Sequence, residues 1–186
     1  IPVVTTLMGR GAFPDGHELC LEMPGMHGNY TATTSIQKSD LLIAIGVRFD
    51  DRVTANPSFF AQNAKVIHAD IDPAEIGKVR EAQVPIVGDA KSVILGLIDA
   101  LQDEELDTKN WINELNSMKT EHPLSYNQDE NGPLKVPFVL EELQDLTEEG
   151  AIVVSGVGQH QMWISQHWNF TEPNTWLNSG GLGTMG

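Results

Sequence analysis

Four charged residues lie together in one short run. Arg48, Asp50, Asp51 and Arg52 directly follow an apolar stretch, residues 41–47. Exposed ion pairs contribute only about 0–1 kcal/mol each, so stability is a poor reason for this cluster. A guanidinium can instead hold a carboxylate or phosphate with two parallel N–H donors. The run indicates either an anion-binding arginine or a surface ion network, and the spacing leaves both open.

Acidic residues follow other apolar runs in the same way. Asp70 and Asp72 close residues 65–71, and Gly88 and Asp89 follow residues 84–87. In an open parallel sheet the carboxyl ends of the strands line the ligand crevice, where an acid can accept hydrogen bonds from ribose hydroxyls. This placement favours an adenine nucleotide. The alternative is that the acids only cap the helices that follow.

Two glycine-rich turns and one loop are further candidates. Residues 156–158 (GVG) separate a predicted strand from a predicted helix, and backbone N–H groups at a helix start attract anions; a plain tight turn is the alternative. Residues 181–186 match G-x-G-x-x-G, which is a weak signal by itself. His27 lies in the loop 23–28 (MPGMHG). This loop predicts either methionines packed in the core or Met and His side chains that contact a flat aromatic ligand.

The elements that position these residues alternate between apolar runs and helical patterns. The runs 1–5, 41–47, 65–71 and 84–87 predict strands, with Pro85 indicating an edge. A short helix is expected after Asp72-Pro73, and a longer one over 90–101 with one apolar face. The fold class expected is α/β, with a parallel, Rossmann-like (doubly wound) sheet flanked by helices.

The composition changes after this sheet. Residues 102–134 contain an acidic stretch, an amphipathic helix with Trp111, Ile112, Leu115 and Met118, and a polar Gly/Pro segment, which is typical of a linker. A second α/β domain then begins. Its predicted elements are a helix from Pro137, a strand over 151–155, a helix from Gln159 and a short strand at Trp176. The predicted domains are 1–101 and 135–186. We expect an excised internal fragment, because the chain starts in a strand and stops on a glycine turn.

The composition narrows the partners. A net charge of −15 repels phosphate backbones and anionic membrane surfaces, so neither nucleic acid nor a membrane is an expected partner. The single Cys20 suits a reducing compartment, and we expect a cytoplasmic protein. The six histidines are scattered, so no metal site is predicted.

Taken together, six ordered segments resemble the acetolactate synthase (acetohydroxyacid synthase) family and cover nearly the whole chain except the linker. They are residues 5–14 (TTLMGRGAFP), 23–28 (MPGMHG), 48–54 (RFDDRVT), 68–76 (HADIDPAEI), 156–163 (GVGQHQMW) and 179–186 (SGGLGTMG). The resemblance implies most of a middle, FAD-binding domain that lacks its first strand, and the start of a thiamine-diphosphate-binding domain. FAD would be a structural cofactor, contacting Thr6, Leu7, Met8, His27, Gly46, Arg48, Asp70, Ile71, Gly88 and Asp89.

The same resemblance assigns the substrate and thiamine diphosphate residues. Arg52 would hold the carboxylate of the second 2-oxo acid, with Met26 and Asp51 beside it. Around the cofactor, the diphosphate would meet Val157, Gly158, Gln159 and His160, whereas the thiamine rings would meet the Gly183 carbonyl and the apolar side chain of Met185.

The implied reaction removes CO2 from pyruvate and joins the two-carbon unit to a second pyruvate or to 2-oxobutanoate, in valine, leucine and isoleucine biosynthesis. The full enzyme would be a homodimer or homotetramer with a regulatory small subunit. The activating glutamate and the Mg²⁺ ligands would lie outside the fragment, which alone is expected to be inactive. The alternative is a non-catalytic adenine-nucleotide-binding module of a thiamine-diphosphate-type enzyme.

Overall fold

The computed structural model describes residues 1–180 of the chain. The described chain divides into two compact units. The first unit combines Ile1–Thr33 with Ile112–Gly186, and the second unit is Thr34–Trp111. The predicted domains, 1–101 and 135–186 with a linker between them, remain a prediction.

A three-stranded parallel sheet organises the second unit. Its strands are β1 (Leu41–Ile45), β2 (Lys65–Asp70) and β3 (Val84–Val87), in the order β1-β2-β3. The central strand β2 is the most buried, as its place between two neighbours requires, while Val84 and Val87 on β3 are exposed. Pro85 therefore lies on an edge strand, as its missing N–H predicted. The parallel α/β fold class is confirmed.

Helix α3 (Ala90–Leu101) follows β3, and its start and end agree with the sequence pattern. Asp89 is its N-cap, and the Asp89 side chain accepts a hydrogen bond from the Ser92 backbone N–H at 3.0 Å. A short helix, α2 (Asp51–Thr54), begins after the capping residue Asp50. A 3-10 turn, Pro57–Phe59, leads towards β2.

The first unit contains a second, two-stranded parallel sheet. Strands β4 (Val153–Ser155) and β5 (Trp176–Asn178) pair with Val154 opposite Leu177. The helices assigned in the chain besides α2 and α3 are α1 (Tyr30–Lys38), α4 (Lys109–Glu121), α5 (Val136–Asp145) and α6 (Gln159–His167). Leu115 and Met118 on α4 are buried, as the amphipathic pattern predicted. None of the helices within residues 1–180 is long and apolar enough to cross a membrane.

The prediction of a strand over residues 1–5 is wrong. Only Val3 forms an isolated parallel bridge, to Cys20, with Val3 N–H donating to Leu19 O at 2.9 Å and Leu21 N–H to Val3 O at 2.8 Å. The facing segment turns on both sides of this bridge, because Cys20 N–H bonds His17 O and Glu22 has a φ of 63°. A ladder of successive pairs therefore cannot form.

The short helix expected after Asp72 is also absent, and residues 71–80 form turns. Asp72 does accept a hydrogen bond from Ala74 N–H at 2.9 Å, so the cap is made. Gly77 then adopts a left-handed φ of 76°, which ends the turn before a helix propagates.

Helix α1 was not predicted. Its sequence, YTATTSIQK, contains three threonines and has little apolar periodicity. Asn29 caps it, accepting a hydrogen bond from Ala32 N–H at 2.7 Å, and Thr31, Ala32 and Ile36 are buried. Tertiary packing therefore compensates for a weak intrinsic helix propensity.

Candidate functional site

The residues of the second unit that were predicted to bind a nucleotide lie at the carboxyl-terminal edge of the three-stranded sheet. Because β1, β2 and β3 are parallel, the residues that follow them meet at their carboxyl ends. Gly46 N–H donates to Ala69 O at 2.8 Å, and Gly88 N–H donates to Asp70 O at 3.0 Å. The structure thus brings together Gly46, Arg48, Asp70, Ile71, Gly88 and Asp89.

This edge combines open apolar surface with a buried acid. The Ile71 side chain is exposed, and a Cβ added at Gly46, where φ is 64°, would meet no atom within 4 Å. Asp70 is 9% exposed, and its Oδ1 accepts a hydrogen bond from Asp72 N–H at 2.9 Å. Space over Gly46 beside an apolar side chain and a carboxylate suits a flat base and its ribose. Asp89 caps α3, so the capping alternative describes the observed contacts of that residue.

The charged run after β1 is organised by the buried Phe49. Phe49 is 3% exposed, has a φ of 55°, and packs edge-on against Phe60 and His68. His68 also bonds the Val47 carbonyl through Nε2 at 2.9 Å. Anchoring the backbone here leaves the Arg48 and Arg52 side chains 60% and 65% exposed.

Both arginines have an acidic neighbour within the run. Arg48 Nη2 lies 3.4 Å from Asp50 Oδ2, and Arg52 Nη1 lies 3.7 Å from Asp51 Oδ2. These long, exposed contacts contribute little to stability. The ion-network alternative is therefore seen in the geometry, and the exposed Arg52 fork can still be reached by an anionic ligand.

In the first unit, the loop at residues 23–28 has a tightly specified backbone. A Cβ at Gly28 would lie 2.2 Å from Met23 O, so only glycine fits there. Met23 is buried, whereas Met26 is 56% exposed and His27 is exposed. The packed-methionine interpretation thus holds for Met23 only, and Met26 and His27 face solvent.

The remaining predicted flavin residues also lie in the first unit. Leu7 and Met8 form the 3-10 turn Leu7–Gly9, and Thr6 precedes it as the N-cap residue. The Leu7 carbonyl accepts a hydrogen bond from Trp176 Nε1 at 2.9 Å. Met8 is 55% exposed and packs against Gly180, where an added Cβ would lie 1.9 Å from the Met8 sulfur.

The predicted diphosphate residues form the turn between β4 and α6. Gly158 has a φ of 156°, and a Cβ added there would lie 2.9 Å from the His160 ring. Gly158 is also the N-cap of α6, with no side-chain capping bond and no acid in the first turn. Backbone N–H groups at such a helix start attract anions, so Val157, Gly158, Gln159 and His160 fit a diphosphate. Gly183 and Met185 lie outside the described residues.

Sequence reasoning missed two buried polar groups near these segments. Gln161 is 2% exposed, and its Nε2 donates to Asn178 Oδ1 at 3.0 Å, joining α6 to β5. Arg10 and Asp15 form a buried ion pair. The spacing of Gln161 and Ser165, both buried, was visible as one polar helix stripe, but nothing local indicates that Arg10 pairs with Asp15.

No group of three or more His, Cys, Asp or Glu residues among positions 1–180 could hold a metal ion.

Comparison with known proteins agrees with this geometry. The family model "Thiamine pyrophosphate enzyme, central domain" matches residues 1–97, and "Thiamine pyrophosphate enzyme, C-terminal TPP binding domain" matches residues 156–186. The chain belongs to the thiamine pyrophosphate enzyme family. The second match includes the turn at the start of α6 and the positions of Gly183 and Met185. It supports thiamine pyrophosphate, also called thiamine diphosphate, as a cofactor.

Curated relatives within this family are similar over the full chain. The acetolactate synthase of Mycobacterium leprae is 55% identical, the acetolactate synthase large subunit of Corynebacterium glutamicum 52%, and acetolactate synthase 1, chloroplastic, of Nicotiana tabacum 47%. Each alignment covers 100% of this chain but only 28–30% of the relative. The chain therefore spans less than a third of the length of these enzymes.

Proposed function

We propose that this chain is part of the catalytic large subunit of an acetolactate synthase. That enzyme would decarboxylate pyruvate and join the two-carbon unit to pyruvate or 2-oxobutanoate, giving 2-acetolactate or 2-aceto-2-hydroxybutanoate for branched-chain amino-acid synthesis. The observation that carries the proposal is 52–55% identity across the whole chain to acetolactate synthases of two bacterial genera. The 186-residue chain by itself is expected to form no product.

Thiamine diphosphate, when bound, supplies the carbon nucleophile and electron sink that allow a 2-oxo acid to lose CO2. The protein contributes position. Backbone N–H groups of Gln159 and His160 would hold the diphosphate at the start of α6, whose first turn contains no acidic residue. Gly183 and Met185 would orient the rings. Mg²⁺ would be held by residues other than those described.

FAD would be a structural cofactor that crosses the carboxyl ends of β1, β2 and β3. The open space over Gly46 and the exposed Ile71 side chain would receive flat, apolar parts of the ligand. Asp70 would accept a hydrogen bond from a hydroxyl, and Arg48 would face a phosphate. Thr6, Leu7, Met8, His27, Gly88 and Asp89 would complete the contacts.

Arg52 would select the second substrate. Its exposed guanidinium has two parallel donors that match a carboxylate and fix the incoming 2-oxo acid in register. Met26 and Asp51, both exposed, would line the same substrate. A homodimer or homotetramer with a regulatory small subunit would be the working assembly. We place the enzyme in the cytoplasm, because a reducing compartment suits the single cysteine of this chain.

The test is the substitution Arg52→Lys in the full-length enzyme. Lysine keeps the charge but cannot reproduce the two-donor register. The activation free energy of carboligation should therefore rise by on the order of 2–4 kcal/mol, and carboligation should slow accordingly. Decarboxylation of the first pyruvate does not use this contact and should stay near the wild-type rate. The preference between pyruvate and 2-oxobutanoate should also fall.

Arg48→Lys is the matched control, because Arg48 lies in the same run with similar exposure. It should weaken FAD binding and leave the product ratio unchanged. Competition between the two acids, measured beside decarboxylation alone, separates the two variants. A wild-type carboligation rate and product ratio in Arg52→Lys would make Arg52 a member of a surface ion network only.

A further inference from the structure

A buried ion pair lies between the two proposed cofactor regions of the first unit. Arg10 Nη1 and Nη2 donate to Asp15 Oδ1 and Oδ2 at 2.6 and 2.7 Å, and the two side chains are 2% and 0% exposed. Arg10 Nη1 also bonds Thr5 Oγ1 at 3.2 Å, and the guanidinium lies 5.7 Å from the centre of the Phe170 ring. Neither residue is among the proposed substrate or cofactor contacts.

A pair buried this completely is weak evidence for stability. Desolvation of the two charges offsets most of their attraction, so an apolar pair would stabilise the fold about as well. What the charges provide is a fixed geometry with two parallel hydrogen bonds. The functional question is which segments that geometry holds in place.

Asp15 holds a distant part of the chain. Phe170 N–H donates to Asp15 Oδ2 at 2.7 Å, and Asp15 N–H donates to Phe170 O at 3.1 Å. Gly11, with a φ of 83°, packs so closely that an added Cβ would lie 3.1 Å from the Glu172 carbonyl. Residues 10–15 are therefore seated on the segment that leads into β5.

Each of the two joined segments continues into a proposed cofactor region. On one side, Arg10 follows the 3-10 turn Leu7–Gly9, whose Leu7 carbonyl accepts the Trp176 Nε1 hydrogen bond. On the other, β5 pairs with β4, which runs directly into the diphosphate turn at residues 156–160, and Asn178 on β5 accepts the bond from Gln161. The path from the 3-10 turn Leu7–Gly9 (the flavin turn) to the diphosphate turn at residues 156–160 is therefore continuous and hydrogen-bonded.

We propose that Arg10 and Asp15 are positioning residues that hold the flavin turn on β5, so that FAD and thiamine diphosphate bind with positive coupling. The inference rests on the proposed function for the places of the two cofactors. Each cofactor contacts one of the two joined segments and thereby stabilises the arrangement that the other cofactor requires, so the coupling must be reciprocal.

The experiment measures the dissociation constant of FAD, by quenching of flavin fluorescence, in the full-length enzyme with and without thiamine diphosphate and Mg²⁺. The wild type should bind FAD at least about fivefold more tightly when thiamine diphosphate is present. Asp15→Asn keeps the side-chain shape but leaves the Arg10 charge buried without its carboxylate. It should weaken FAD binding by about tenfold and remove the coupling.

Two further variants and one control protect the test against simple misfolding. Arg10→Lys keeps the charge but loses the two parallel donors of the guanidinium. It should reduce the fold-change in FAD affinity caused by thiamine diphosphate to about half of the wild-type value, while the protein stays folded. The double variant Arg10→Met with Asp15→Asn removes both charges, so it should recover the thermal stability of the wild type but not the coupling, because the two parallel hydrogen bonds are absent. Glu18→Gln removes an exposed acid from the same segment and should change nothing.

Wild-type FAD binding that ignores thiamine diphosphate would overturn the proposal. So would variants that lose only thermal stability and keep the wild-type coupling. Acetolactate formation by the wild type, assayed in parallel, separates the two proposals. Product without coupling overturns the positioning role alone, whereas coupling without product supports it and overturns the proposed synthase function.

Discussion

The substitution Gly28→Ala tests the loop that presents Met26 and His27. An added Cβ would lie 2.2 Å from Met23 O, 2.4 Å from Pro24 C and 2.7 Å from Pro24 Cα. Carbon atoms in proteins approach favourably only to about 3.5 Å. All three obstacles are backbone atoms, so no side-chain rotation can relieve the clash. The loop must move by roughly an ångström or more.

That movement breaks identifiable bonds. Asn29 N–H donates to Met23 O at 2.9 Å, and Gly28 N–H donates to Gly25 O at 3.0 Å. Each hydrogen bond contributes about 1 kcal/mol net, and overpacking costs about 1–3 kcal/mol more. The free energy of unfolding should therefore fall by on the order of 3–5 kcal/mol. FAD affinity should fall as well if His27 contacts the flavin as proposed.

The assay is denaturant unfolding followed by tryptophan fluorescence, with flavin binding measured on the folded protein. Gly16→Ala is the matched control, because a Cβ at Gly16 would meet no atom within 4 Å and its φ is not left-handed. It should change the unfolding free energy by less than about 0.5 kcal/mol. If Gly28→Ala unfolds at the same denaturant concentration as Gly16→Ala, the loop is pliable and the steric argument is wrong.

Two more outcomes follow from single groups. Burial raises the pKa of the Cys20 thiol from 9.0 to about 11, so the folded protein keeps a proton that the unfolded chain loses. Stability should fall as pH rises from 9 to 11, by about 3 kcal/mol in all. The check is the free energy of unfolding measured between pH 9 and pH 11 for the wild type and for Cys20→Ala, which should lack this slope. Alkylation of Cys20 in the folded protein by iodoacetamide should also stay slow up to pH 10. Gly96 lies within α3, where a Cβ would meet no atom within 4 Å, so Gly96→Ala should stabilise α3 by about 0.5–1 kcal/mol, measured by thermal unfolding. An unchanged or lower melting temperature would contradict this.

Apolar periodicity correctly predicted the strands and helices whose sequence pattern is local. β2 and β3 lie within a residue of their predicted ends, and α3 matches residue for residue, because apolar spacing and the capping Asp89 are local features. α1 escaped prediction because its threonines favour extended backbone and only burial makes it helical. Residues 1–5 have strand composition, but the segment facing them turns at His17 and Glu22.

The candidate site shows the same difference between local features, which the sequence predicts, and contacts between distant residues, which it does not. The sequence by itself determined the family resemblance, the strand-end placement of Arg48, Asp70 and Asp89, and the glycine turn before α6, since each depends on residues adjacent in the chain. Contacts between distant residues were decided only by the tertiary structure. Asp15 meets Phe170 across 155 positions and Trp176 meets Leu7 across 169. Side-chain type indicates what a group can bond, but only the folded backbone determines which partner comes within 3 Å of it.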